Sequence, residues 1–150
     1  MFCRDKFLSN FQQFCRIWWI ISSSKIKYVH INKSSIYGNQ ASFGAIISKH
    51  SINEIQISRS SCYNNTATKG GILYTSAGGN NNFIGASFYN NKAKVGGIIY
   101  NINGRDLNKI TNFNTNFTNS YLSNNYGKKG LIYSIYDDLI INGSTITYFN

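Results

Sequence analysis

At 150 residues the chain is long enough for one domain with a sizeable core, and its 42% hydrophobic content excludes a disordered tail despite the many Asn and Ser. Fifteen Lys and Arg against five Asp and Glu give a net charge of +10, yet no basic run exceeds Lys128-Lys129, and no RNP-like string or zinc-finger spacing is present. Proline is absent while Gly, Ile, Tyr and Phe are abundant, a mixture that favours short strands with glycine turns over helices.

Residues 1–24, MFCRDKFLSNFQQFCRIWWIISSS, read as a degenerate coil or a leader. The apolar run from Ile17 to Ile21 is shorter than the roughly 7–15 residues of a signal-peptide core. Nothing in the chain approaches the roughly 18 consecutive apolar residues of a membrane helix. Cys3, Cys15 and Cys62 are odd in number and lack a C-x-x-C spacing, so neither a disulfide framework nor a metal site is expected. Cys62 replaces apolar residues of sister segments and reads as a small buried hydrophobe.

From residue 25 onward the chain repeats itself. SIYGNQASFGAIIS (35–48), SCYNNTATKGGILY (61–74), SFYNNKAKVGGIIY (87–100) and YLSNNYGKKGLIYS (121–134) share five aligned columns. An Asn recurs at Asn39, Asn65, Asn91 and Asn125, at spacings of 26, 26 and 34 residues. A small residue follows at Ala41, Ala67, Ala93 and Gly127, then a glycine at Gly44, Gly70, Gly96 and Gly130. An isoleucine closes each copy at Ile46, Ile72, Ile98 and Ile132. A degenerate copy fits at 9–22, with Cys15 in the Ala column and Ile20 in the Ile column. The tail ends 26 residues after Asn124, where another Asn pair would begin.

Each copy breaks into short apolar pieces, such as Ile55-Gln56-Ile57, Cys62-Tyr63 and Ile72-Leu73-Tyr74, too short for stable helices. Three short strands and three turns per copy predict an all-β parallel β-helix (solenoid) of about 26 residues per coil. Four coils are clear, with partial ones at either end. Equivalent residues then stack about 4.8 Å apart, so each column becomes a ladder. A buried Asn column is tolerable because every amide can donate to one neighbour and accept from the other. Ile36, Cys62, Phe88 and Leu122 form a further interior column.

Phe88-x-x-Asn91 followed by Gly96-Gly97-Ile98 resembles the repeats of chlamydial polymorphic outer membrane proteins and similar right-handed β-helix surface proteins of protists. The resemblance covers about residues 31–134. It departs at Ile36, Cys62 and Leu122 in the Phe position, and at Gly44-Ala45-Ile46 and Gly130-Leu131-Ile132. It implies a right-handed parallel β-helix, display at the cell surface or secretion, and adhesion.

β-Helices also host polysaccharide lyases and hydrolases, whose chemistry needs converging carboxylates. Asp5, Glu54, Asp106, Asp137 and Asp138 are the whole supply, and no two are expected to share a column. Asp137-Asp138 read as a solvated turn, and His30 and His50 as surface histidines. No catalytic residue, metal ligand or cofactor is therefore assigned. The N-x-S/T sequons at Asn32, Asn64, Asn116 and Asn142 match the number that chance gives in so Asn-rich a chain.

Two features rise above this background. Lys69, Lys94, Lys128 and Lys129 precede the glycine turn in successive copies and form a basic edge suited to a polyanion, an anionic glycan or a membrane surface. The 34-residue spacing places an insertion near 101–113, whose Gly104, Arg105 and Asp106 read as a binding loop. The last copy breaks off in mid-coil without a polar cap. The chain thus reads as a fragment of a longer solenoid, or as one whose C-terminal end another chain covers. The expected function is a non-catalytic surface scaffold that takes an anionic glycan or another cell-surface ligand. The alternatives are a carbohydrate-active enzyme and polyanion or membrane-surface binding through the lysine edge.

Overall fold

The computed structural model describes residues 14–15, 21–22, 28–49, 54–76, 79–102, 113–135 and 137–147. A first partial coil contributes β1 (Phe14–Cys15) and β2 (Ile21–Ser22). The first complete coil holds β3 (Tyr28–Asn32), β4 (Ser35–Tyr37), β5 (Gln40–Phe43) and β6 (Ile47–Lys49). The next holds β7 (Glu54–Ser58), β8 (Ser61–Tyr63), β9 (Thr66–Lys69) and β10 (Leu73–Thr75). Then come β11 (Gly79–Ile84), β12 (Ser87–Tyr89), β13 (Lys92–Val95) and β14 (Ile99–Asn101). The last complete coil has β15 (Phe113–Thr118), β16 (Tyr121–Ser123), β17 (Tyr126–Lys129) and β18 (Ile132–Ser134). β19 (Asp137–Asn142) and β20 (Thr145–Thr147) begin another.

All strand pairs are parallel and join equivalent strands of neighbouring coils, so the fold is a parallel β-solenoid. Four sheets run its length. Sheet A is β1-β4-β8-β12-β16-β20, sheet B is β2-β6-β10-β14-β18, sheet C is β3-β7-β11-β15-β19 and sheet D is β5-β9-β13-β17. The expected three strands per coil become four because Thr66–Lys69 and its equivalents also pair. That strand escapes a hydrophobicity search: its inward residue is only Ala41, Ala67, Ala93 or Gly127, and its other positions are mostly polar.

The interior is built by period-two alternation. In sheet C, Ile55 and Ile57 point inward and Gln56 does not, a pattern repeated by Asn81, Phe83 and Asn82. Phe83 stacks on Phe117 at 4.8 Å, and Phe88 meets the two rings edge-on at 5.3 and 6.1 Å. All three are fully buried, each contributing roughly 1.5–3 kcal/mol of transfer free energy.

The Asn column forms the expected ladder. Asn39, Asn65 and Asn91 each donate Nδ2–H to the Oδ1 of the next Asn, at 2.9, 3.0 and 2.9 Å. Their backbone N–H groups donate to the same oxygens at 3.1, 3.1 and 3.0 Å. The second amide hydrogen reaches back one coil, from Asn91 to the Cys62 carbonyl and from Asn125 to the Phe88 carbonyl, both at 2.8 Å. The residue just before the ladder turns the corner with φ of 68° at Gly38, 55° at Asn64 and Asn90, and 51° at Asn124. Asn therefore does two jobs in each Asn-Asn pair. The first adopts the left-handed conformation it tolerates better than most residues, and the second satisfies the backbone.

The glycine column is required by the turn into sheet B. Gly96 has a φ of 63°, and a Cβ there would run into the Ile99 carbonyl. In the last complete coil this turn is one residue shorter. Ile98 N–H donates to the Leu131 carbonyl, and Ile132 pairs with Ile99. The expected column Ile46, Ile72, Ile98, Ile132 is thus corrected to Ile46, Ile72, Ile98, Leu131; Ile132 continues Ile47, Leu73 and Ile99. The shorter turn brings the Gly130 carbonyl against the position where a Cβ of residue 127 would sit, which explains Gly127 where other coils carry Ala.

Two further registers differ from expectation. Cys15 pairs with Ile36, not with the Ala column, because the first coil is shorter between β1 and β2. The step into the last coil sets Ser144 against Ser120 at a spacing of 24 residues rather than 26. Asn150 lies outside the described residues, as do Gly104, Arg105 and Asp106 of the expected binding loop.

Replacing Asn91 by Ala strands two donors of Asn65 inside the core and removes one donor each from Asn125 Oδ1 and the Cys62 carbonyl. It is expected to cost about 3 kcal/mol or more. Asn90→Gly, at the exposed corner, is expected to change stability by less than about 1 kcal/mol. Urea denaturation of both variants checks the contrast.

Candidate functional site

Sheet D brings polar chemistry to one surface. Its outward positions form two rows along the solenoid axis: Gln40, Thr66, Lys92, Tyr126, and Ser42, Thr68, Lys94, Lys128. Between them the strands present only backbone, because Ala41, Ala67, Ala93 and Gly127 occupy the inward column, and an open groove of about 460 Å³ runs along the sheet. Lys94 lies between the register pairs Ala93–Gly127 and Val95–Lys129, so it stands abreast of Lys128. Lys92 Nζ sits 5.5 Å over the Tyr126 ring.

The expected basic edge is therefore partly regrouped. Lys94 and Lys128 are adjacent and exposed on the groove. Lys69 belongs to another row, with Phe43, Val95 and Lys129. It is half-buried, its ammonium 5.8 Å from the Phe43 centroid and 5.1 Å from that of Tyr100. The aromatic faces thus hold Lys69 away from the groove. Lys92, Thr66, Thr68, Tyr126 and Gln40 were not singled out from sequence. The signal that finds them is the alternation T-A-T-K, K-A-K-V, Y-G-K-K around one small column.

The tyrosines do not make a stacking platform. Tyr37, Tyr63 and Tyr89 stack at 4.9 and 4.7 Å, and Tyr74, Tyr100 and Tyr133 at 5.4 and 5.1 Å. Within each stack the facing ring surfaces are spent on one another, and the exposed Tyr28 and Tyr121 lie on sheets C and A, away from sheet D. Burial, then Tyr63 and Cys62 beside it, raises the Tyr89 phenol above its usual range.

The carboxylates correct two expectations. Asp137 and Asp138 begin strand β19 instead of a turn, since Phe113 and Asn114 of the preceding coil pair with them. Glu54 and Asp138 do share a column, through Asn80 and Asn114. Three coil steps separate them, about 14 Å at solenoid spacing, beyond the roughly 6.5–9.5 Å of an inverting glycosidase pair. Glu54 instead accepts from Asn82 Nδ2 at 3.2 Å. His30 is exposed, as expected, and His50 lies outside the described residues. Among the described residues no group of three or more His, Cys, Asp or Glu could hold a metal, and no helix is long and apolar enough to cross a membrane.

A polar patch interrupts the core beside the insertion. Asn81 and Thr115 occupy the inward column of Val29 and Ile55, and Asn81 Nδ2 donates to Thr115 Oγ1 at 3.2 Å. Asn101, fully buried, donates to the same hydroxyl at 3.5 Å.

Comparison with protein-family models, with curated proteins and with solved structures found no match for the chain.

Cys62 is fully buried, as expected, and burial pushes its thiol from 9.0 up to about 12. The folded protein keeps the proton that the unfolded chain releases above pH 9, so this group's contribution is intact below that pH and declines as pH rises towards 12. Urea denaturation across this range is expected to show a shallower loss of stability in Cys62→Val than in the parent chain. An identical slope in the two proteins counts against the buried thiol.

Proposed function

We propose that the chain is a non-catalytic β-solenoid scaffold of a cell-surface or secreted protein, presenting its outer faces for adhesion or glycan binding. The observation that carries this reading is the division of labour between the two sides of every strand. Inward positions are filled by apolar and Asn ladders, while outward positions of sheet D offer aligned hydroxyls and ammonium groups over a groove.

The separation of Glu54 from Asp138 supports binding over hydrolysis, because a glycosidase needs both carboxylates at one bond. Phe88-x-x-Asn91 and Gly96-Gly97-Ile98, with their resemblance to surface β-helix repeats, support display outside the cell. Buried Asn amides and stacked rings suit a rigid rod, which keeps binding groups at fixed spacing without an ordering cost on contact.

The test is a panel of neutral and anionic polysaccharides incubated with the chain. Retention of one or more glycans without release of reducing or unsaturated ends is the expected result. Time-dependent release of such ends, at rates that scale with protein concentration, replaces the scaffold by the carbohydrate-active enzyme.

A further inference from the structure

We infer that the groove on sheet D binds a linear polysaccharide carrying carboxylate or sulfate groups, lying along the solenoid axis. This rests on the scaffold reading and names the ligand of that surface. The chemistry of the two outward rows changes along the axis. Gln40, Thr66 and Thr68 offer an amide and hydroxyls at one end; Lys92, Lys94 and Lys128 offer ammonium groups at the other. Sugar hydroxyls suit the first set and acidic substituents the second.

The spacing fits a polymer with one charge per short repeat. Lys94 and Lys128 are one coil apart, about 4.8 Å at the backbone, and Lys92 and Lys94 two residues apart, about 7 Å. An extended pyranose chain advances by a step comparable to one coil per sugar. The rows therefore repeat along the same direction and on the same scale as the ligand.

Other polyanions fit less well. Single-stranded nucleic acid gains much of its affinity from bases laid on exposed aromatic faces. Here Tyr126 already lies beneath the Lys92 ammonium, and the tyrosine rows cover one another's faces. A lipid surface would meet the lysine tips but not the backbone floor between the two outward rows. A slim polymer reaches both. The described carboxylates, Glu54, Asp137 and Asp138, all belong to sheet C and leave the cationic face uncompensated from that direction.

The test is calorimetric titration of the chain with tetragalacturonate and, separately, a heparin-derived tetrasaccharide. At least one is expected to bind, with affinity falling as salt rises from about 0.05 to about 0.5 M. Lys94→Gln with Lys128→Gln is expected to weaken it about five- to tenfold, the scale of two exposed charge contacts. Lys33→Gln with Arg59→Gln removes the same charge from exposed corners between sheets C and A, and is expected to weaken it less than about twofold. Thr66→Val with Thr68→Val is expected to weaken binding while leaving its salt dependence unchanged.

Equal losses from the two charge-removing pairs overturn the groove in favour of bulk charge. Failure of both saccharides to bind at low salt overturns it outright. So does tighter binding of oligothymidylate or phosphatidylserine vesicles with the same Lys94 and Lys128 dependence. Binding that ignores every groove substitution overturns the groove but leaves the scaffold reading standing, whereas cleavage of either saccharide removes the scaffold reading itself.

Discussion

The structure depends on stacking equivalent residues in register, one coil above another. A buried carboxamide is costly in isolation, but a column of them is self-satisfying when the spacing matches a hydrogen bond. Asn65 and Asn91 show the arrangement. Each oxygen accepts from the Asn of the preceding coil, and each nitrogen donates both to the next Asn and back to a backbone carbonyl. The ladder tolerates little slip, because a shift of one residue would bring in either an outward residue such as Thr66 or Lys92 or the exposed left-handed corner residue, and strand the backbone donors the ladder serves.

The same constraint shapes the corners and the surface. A tight turn into sheet B needs glycine at Gly44, Gly70, Gly96 and Gly130, all at positive φ. The facing strand of sheet D must then keep its inward residue small. The outward residues on either side of that column border the groove, so the site follows from strand alternation. Variation in coil length is absorbed locally: the deletion before Leu131 is accommodated by Gly127, and the register of sheets A and C continues across it.

Cation–π contacts and ring stacking further sort the surface. Lys69 is drawn between Phe43 and Tyr100, while Lys94 and Lys128 remain with the groove. Residues that look equivalent as positive charges are thus separated by what lies one coil away.

The parallel β-solenoid, its Asn ladder, its glycine corners and most of its interior columns were legible in the amino-acid order, because a periodic structure writes its contacts as a period in sequence. Asn39, Asn65, Asn91 and Asn125 could be aligned without knowing any distance. The fourth strand was not legible, since Ala67 and Ala93 bury too little surface to stand out. Nor were the shift from Ile132 to Leu131, the pairing of Cys15 with Ile36 and the shared column of Glu54 and Asp138, because one inserted or deleted residue moves every later partner without changing local character. Only the folded coils decided which lysines share a face, as that depends on register across strands and on the aromatic neighbours each side chain meets.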